Sequence, residues 1–309
     1  MKKSASYLMI IIAAAAWGVT GLFVNALRAE GYSLSQIIAV RASVTAAAMS
    51  ILTALADRKK FRINPRDIWL FAGMGIISFT LCSYAYFASI ERIGLGPSAV
   101  LLYSAPLFIM LMSRIIWKEP LTARKLTAVP LAVAGCVCVS LAPAIAGGGL
   151  KNLLSGGLNL IGVALGLLSG FAYGLYSIFG KIALKKYSGM TVTLWTFISA
   201  SALTIPVAIL YGSWPEMSLK RAALLISMAL VSGALAYGLY TLGLSGVEPT
   251  HASVLATIEP VVAAVCGVLF NGEPMHIVSV IGILLVVAAV VVMNTKPKEA
   301  EEKAAEPNI

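Results

Sequence analysis

The two halves of this 309-residue chain align at a constant offset of 154: Ser78 falls on Ser232, Tyr86 on Tyr240, Pro106 on Pro260, and Glu119 with Pro120 on Glu273 with Pro274. Each half holds five long apolar segments. An odd number of crossings makes the second half enter a bilayer from the opposite side. The sequence therefore predicts an inverted repeat, with one five-helix unit over 1–142, a linker over 143–158, a second unit over 159–294 and a tail over 295–309.

The solvent follows from composition. Hydrophobic residues make up 59% of the chain and charged residues 12%, about half the charged share of a soluble domain, and mean hydropathy is +0.91. A helix of about 20 apolar residues crosses a hydrocarbon core about 30 Å thick. Such stretches run over 7–27, 34–56, 68–90, 97–117, 121–142, 158–180, 190–211, 222–242, 250–270 and 276–292. The fold class expected is all-α, a polytopic membrane protein of ten transmembrane helices.

The net charge of +10 raises the question of nucleic acid, and the placement of the charge excludes it. With the N-terminus inside, 17 of the 23 Lys and Arg fall in cytoplasmic segments: Lys2, Lys3, Arg58, Lys59, Lys60, Arg62, Arg66, Arg114, Lys118, Arg124, Lys125, Lys181, Lys185, Lys186, Lys296, Lys298 and Lys303. Five are outside (Arg28, Arg92, Lys151, Lys220, Arg221), and Arg41 lies within a span. Basic residues favour cytoplasmic loops, so both termini are expected inside the cell membrane. The first apolar run resembles a signal peptide, but its Trp17 and Gly18 align with Phe171 and Ala172 in mid-span, so it reads as a span. The glycine-rich stretch Gly147, Gly148, Gly149, Gly156, Gly157 reads as a flexible linker, and the Lys/Glu/Ala/Pro tail as disordered. Cys82, Cys136, Cys138 and Cys266 all fall in spans without a metal or disulfide spacing, which makes them packing residues.

Ionisable groups at membrane depth are expensive and mark function by default. Glu259 stands about nine residues into its span, on the face of Ala252, Ala256 and Ala263. Either it binds a proton or substrate, or it is held neutral or paired in a structural network. Pro260 after it, and Pro106 in the matching span, remove backbone donors and predict helix breaks at the depth of a site. Arg41 has three readings: a partner for Glu259, a counter-charge for a substrate carboxylate, or a side chain snorkelling to the interface. His251 opens the ninth span, as a gating or coupling group or as an interfacial residue. Gly162, Gly166, Gly170 and Gly174 form a smooth stripe for close helix packing. Glu119 and Glu273, each before a proline, read as helix-start caps.

Trp17 with Gly18, Arg41, Pro106, the Glu259 and Pro260 pair and the Glu119 and Glu273 turns, duplicated in order over about residues 6–293, resemble the ten-helix EamA family of the drug/metabolite transporter superfamily. The resemblance implies export or uptake of small metabolites through a central cavity open alternately to each side, often with proton coupling or exchange. The first, third and fourth helices of each half line that cavity in the family. This makes Trp17, Tyr84, Tyr103, Tyr173, Tyr176 and Tyr237 candidate substrate contacts beside Glu259, since Tyr and Trp pair a flat apolar face with a hydrogen-bonding tip. Tyrosines near helix ends also serve as interfacial anchors.

Catalysis is not expected. Asp57 and Asp67 are the only aspartates and flank one loop, His251 and His276 sit in no metal motif, and no serine occupies a nucleophile elbow. No cofactor or metal is implied. The expected partners are the bilayer and a small organic solute such as an amino acid, nucleobase or amine, with protons as a candidate coupling ion, in a monomer or homodimer. Large phosphorylated substrates are disfavoured, because Arg41 is the only cation at membrane depth. Export is the first reading; uptake, a lipid flippase or channel-like conductor, and a receptor without flux are the alternatives.

Overall fold

The computed structural model describes residues 3–146, 159–210 and 213–295. The linker glycines from Gly147 to Gly157 and the tail beyond Thr295 lie outside the described residues. Ten helices are long and apolar enough to cross a membrane: span 1 (Lys3–Ala29), span 2 (Leu34–Ala56), span 3 (Pro65–Ile93), span 4 (Leu95–Trp117), span 5 (Ala123–Ala142), span 6 (Leu160–Ala183), span 7 (Gly189–Leu210), span 8 (Leu219–Leu244), span 9 (Pro249–Asn271) and span 10 (Ile277–Asn294). No strand occurs among the described residues.

Local chemistry sets the helix ends. Ser33 opens span 2 with a capping box, its hydroxyl accepting from the Gln36 N–H while the Gln36 side chain accepts from the Ser33 N–H. Asn159 and Ser218 cap spans 6 and 8 in the same sense. Spans 4 and 9 end alike. Lys118 (φ 54°) and Gly272 (φ 67°), 154 residues apart, each turn the chain in the left-handed region. The N–H groups of Glu119 and Glu273 then return to the Ser113 and Gly267 carbonyls.

That closure corrects the sequence reading of Glu119 and Glu273 as caps of the following helices. The backbone of each glutamate finishes the preceding helix, and the chain stays extended until Ala123 and Ile277, so Pro120 and Pro274 are stop signals and not first helical residues.

Most contacts between spans recur when the halves are exchanged. Span 5 lies along span 10 and span 2 along span 7; span 6 packs on spans 3 and 4 as span 1 packs on spans 8 and 9. Gly135 and Gly282 make the first contact close, each presenting its Cα to the other's carbonyl oxygen, 2.7 Å from where a Cβ would stand. Spans 3 and 8 each carry a π-helical segment, Gly73–Leu81 and Ala229–Leu235, that overlap under the same offset and end at matching residues. In the first, Ser78 and Thr80 hydroxyls donate to the Gly73 and Gly75 carbonyls five residues back. Such wide turns inside helices recur at functional positions.

Candidate substrate cavity

Span 4 is interrupted at Tyr103–Ser104 and span 9 at Thr257, again 154 residues apart. The cause is chemical. Pro106 and Pro260 lack the N–H that would reach back four residues, to Leu102 and Ala256, where the first helical segments end. Small residues let the neighbouring helices approach these breaks. A Cβ on Gly170 of span 6 would stand 2.5 Å from the Leu101 carbonyl, and one on Gly18 of span 1 would stand 2.7 Å from the Glu259 carbonyl. The glycine stripe of span 6 thus packs on the broken backbone of span 4. Span 1 also turns at Gly18 and Val19, between helices Lys3–Gly18 and Thr20–Ala29.

These breaks bring together residues from both halves. Tyr173 Oη donates to Glu259 Oε2 at 3.3 Å, and the Tyr103 hydroxyl lies near the same carboxylate. Glu259 is half-buried, as are Tyr84, Tyr103, Tyr173, Tyr237 and Arg41. Trp17 is buried beside it, with ring centroids 4.9 Å from Tyr237, 5.1 Å from Tyr240 and 6.3 Å from Tyr173. Its Nε1 has no protein acceptor. Tyr176 is buried one layer further in, sharing a hydrogen bond of 2.9 Å with Thr241 while Tyr240 shares one of 2.7 Å with Ser177.

Arg41 neither snorkels nor forms a direct ion pair with Glu259 among the described contacts. One amino group donates to the Ser232 carbonyl at 2.9 Å, within the π-helical segment of span 8. Its guanidinium centre lies 5.5 Å from the ring centroids of both Phe79 and Tyr237, a cation–π sandwich. Its charge still acts on Glu259 through space.

His251 stands apart from this cluster. It stacks on Tyr7 with centroids 4.7 Å apart and shares a 3.0 Å hydrogen bond with Asn294, at the end of the molecule that carries the N-terminus.

That end is closed. The second segment of span 4 (Ala105–Trp117) packs on the first segment of span 9 (Pro249–Ala256), and an apolar cluster including Ile10, Phe71, Tyr176, Leu244 and Leu255 fills the space between the halves. Lys125 Nζ bonds Glu119 at 3.1 Å and Glu248 at 2.8 Å, and Thr250 donates to Glu119 at 3.0 Å. Burial raises the Glu119 carboxyl above its ordinary range, against the pull of Lys125. Asp67 takes hydrogen bonds from Lys186 at 2.7 Å and Tyr187 at 2.6 Å. At the opposite end, no packing of that extent joins the first segment of span 4 (Leu95–Leu102) to the second segment of span 9 (Ile258–Asn271) among the described residues.

Phe79, Tyr240 and the Ser232 carbonyl belong to the cluster but are absent from the sequence-based set. Two of them had a signal there: Tyr240 and Ser232 are among the residues that the repeat preserves from Tyr86 and Ser78. Phe79 offers no such mark.

A model of the EamA-like transporter family matches residues 4–141 and again 160–295. The chain belongs to this transporter family, and it is a multi-pass membrane protein and not an enzyme. It is 25% identical over 308 residues to the uncharacterized transporter YwfM of Bacillus subtilis (strain 168), covering 99% of this chain and 98% of that one. It is 26% identical over 237 residues to the threonine/homoserine exporter RhtA of Escherichia coli (strain K12), covering 75% of this chain and 72% of the exporter. A crystal structure shares the fold with a TM-score of 0.77 at 16% identity, over 95% of this chain and 98% of that one.

Proposed function

We propose that this chain is a secondary active transporter that carries a small organic solute through the cavity at Glu259, by rocking two inverted five-helix units, 1–142 and 159–294, about that level. The observation that carries the reading is the carboxylate of Glu259 at the break of span 9. It meets two tyrosine hydroxyls, an arginine held across from it and a wall of aromatic rings, in a place closed at one end. A carboxylate in so apolar a setting exchanges a proton readily, because burial penalises its charge, and a proton crossing 100 mV carries about 2.3 kcal/mol. Coupling to protons and export are the physiological mode in this reading.

Glu259 suits an ammonium or other hydrogen-bond donor, Arg41 a carboxylate or carbonyl, and Trp17 with the tyrosines a flat or apolar body. The name of the RhtA relative places amino acids first among the candidates, ahead of nucleobases and amines. Purified protein screened against these classes by ligand-dependent thermal shift should respond to one of them, and sealed proteoliposomes should accumulate that ligand when a pH gradient is imposed. Best binding by sugar phosphates would rule out this account of the cavity.

The distribution of Lys and Arg supports cytoplasmic termini. A cysteine at Lys60 should then be shielded from an impermeant reagent in intact cells while one at Met217 reacts. The opposite pattern reverses every assignment of inner and outer gate.

A further inference from the structure

We propose that Trp17 Nε1 and Thr20 Oγ1 form a subsite for the carboxylate of the solute whose ammonium meets Glu259, so that the cavity selects zwitterions of the α-amino acid type. This subsite deepens the reading of the Glu259 cluster as the solute site and stands only with it.

Trp17 is 7% exposed, and its Nε1 is buried with no acceptor in the protein. An indole nitrogen can only donate, and a buried donor left without a partner costs free energy. Thr20 Oγ1 is buried without a partner too. Elsewhere in the spans the hydroxyls of Ser43, Ser50, Ser83 and Thr204 donate to the carbonyl four residues back. Thr20 follows the turn at Gly18 and Val19, and its hydroxyl makes no such return. Val19 keeps a near-helical backbone (φ −81°, ψ −5°), so Trp17 and Thr20, three positions apart, stay neighbours on one face of span 1.

This part of span 1 adjoins Glu259. A Cβ on Gly18 would stand 2.7 Å from the Glu259 carbonyl oxygen. The Trp17 ring lies 6.3 Å from that of Tyr173, whose hydroxyl donates to the Glu259 carboxylate. That carboxylate does not accept the indole N–H. A solute that carries both an ammonium and an acceptor satisfies the two groups at once, with its ammonium on Glu259 and its acceptor on Trp17 and Thr20.

Charge decides which acceptor fits. The Tyr237 ring packs against Trp17 at 4.9 Å and against the Arg41 guanidinium at 5.5 Å, so the cation acts across one ring on whatever Trp17 holds. Arg41 gives an amino group to the Ser232 carbonyl and contributes here through its field, while the indole supplies the bond. Glu259 and Arg41 carry opposite charges without a direct ion pair among the described contacts. A zwitterion offers each of them a counter-charge, whereas a simple amine answers Glu259 alone.

The experiment is binding to the full chain in detergent, by calorimetry, of L-threonine, L-leucine and L-phenylalanine. Each is set beside the amine that remains without its carboxylate: isopropanolamine, isoamylamine and phenethylamine. The parent should prefer at least one amino acid over its amine. Trp17→Phe keeps an aromatic ring without the N–H and should cut that preference about tenfold; Thr20→Val, which keeps the shape without the hydroxyl, should cut it about threefold. A preference retained in full by Trp17→Phe overturns the subsite and leaves the cavity reading standing. If no amino acid or amine binds the parent, that reading falls and the subsite with it, and amines that bind better than their amino acids overturn the carboxylate as its occupant. Proton NMR of the parent's five indole N–H groups needs no folded variant: one signal should move downfield with the amino acid and not with its amine. Five unmoved signals on saturation with the amino acid overturn the subsite as well.

Discussion

The two halves share their scaffold and divide their chemistry. Breaks, π-helical segments, left-handed turns and much of the order of packing recur at the same offset, yet the charged groups of the Glu259 cluster and its tryptophan exist once each. Glu259 corresponds to Ala105, Arg41 to Trp195, and Trp17 to Phe171. The same holds at the closed end, where the partners of Glu119 have no counterparts: Lys125 corresponds to Ser279, Thr250 to Gly96 and Glu248 to Gly94. Duplication supplies a repeated scaffold, and single-copy residues make its two ends unequal. The buried Glu119 and Lys125 pair fastens one end only.

The strongest way to break this comparison is at Glu259. Glu259→Gln keeps the shape and hydrogen-bonding reach of the side chain but removes its proton, so accumulation driven by a pH gradient in proteoliposomes should vanish while passive exchange persists. Ala105→Ser, at the buried matching position, should leave accumulation near the parent level. Proton-driven uptake that survives Glu259→Gln would remove the carboxylate from the coupling mechanism.

Next in size is the ionic link at the closed end. Lys125 and Glu119 are 5% and 8% exposed, and removing one partner of a buried pair costs about 3 to 5 kcal/mol because the other charge is stranded. Lys125→Met should lower the free energy of unfolding in detergent by an amount in that range, whereas Ser279→Ala should cost under about 1 kcal/mol. Equal effects of the two would mean that the link is worth no more than ordinary packing, and that the asymmetry of the ends comes from elsewhere.

The sequence made much of this legible because its signals were paired. Period and length gave ten helices, the prolines marked the level at which spans 4 and 9 are interrupted, and the repeat singled out Ser232 and Tyr240 before any contact was known. What it hid were interactions that depend on how spans pack across the halves. Arg41 satisfies a carbonyl of span 8 and lies between rings of spans 3 and 8, and no spacing within span 2 reveals that. Glu119 looked like a helix cap because a glutamate before a proline has that local chemistry; its buried partners Lys125 and Thr250 come from six residues on and from the other half. His251 was read as opening the ninth span, and it lies at that end of the molecule, stacked on Tyr7 and bonded to Asn294; those two partners are what no local pattern revealed.

A smaller effect is expected from the aromatic wall. Trp17→Ala should weaken binding of aromatic ligands by about 0.5 to 1.5 kcal/mol beyond the lost contact area, read by calorimetry or thermal shift. Phe171 is 39% exposed and meets Phe108 edge-on, so Phe171→Ala should leave affinity unchanged. Identical affinities for parent and Trp17→Ala would place the ligand away from this wall.

The smallest effect belongs to the opposite end, where Glu30 at the turn after span 1 bonds Lys220 at 2.5 Å and Arg221 at 2.9 Å at the start of span 8. The hydrogen bonds from Lys220 and then Arg221 hold the Glu30 carboxyl below its ordinary range. A carboxyl depressed on folding contributes stability that is present above its unfolded pKa and disappears as pH falls through the folded one. Glu30→Gln should therefore lower the unfolding midpoint slightly at neutral pH and not at all in acid below the carboxylate range. Because this link is exposed and screened, salt should shrink the difference as acid does, whereas the buried Lys125 link should withstand salt. If Glu30→Gln proved as costly as Lys125→Met, the two ends would be fastened equally and the asymmetry between them would lose its physical basis.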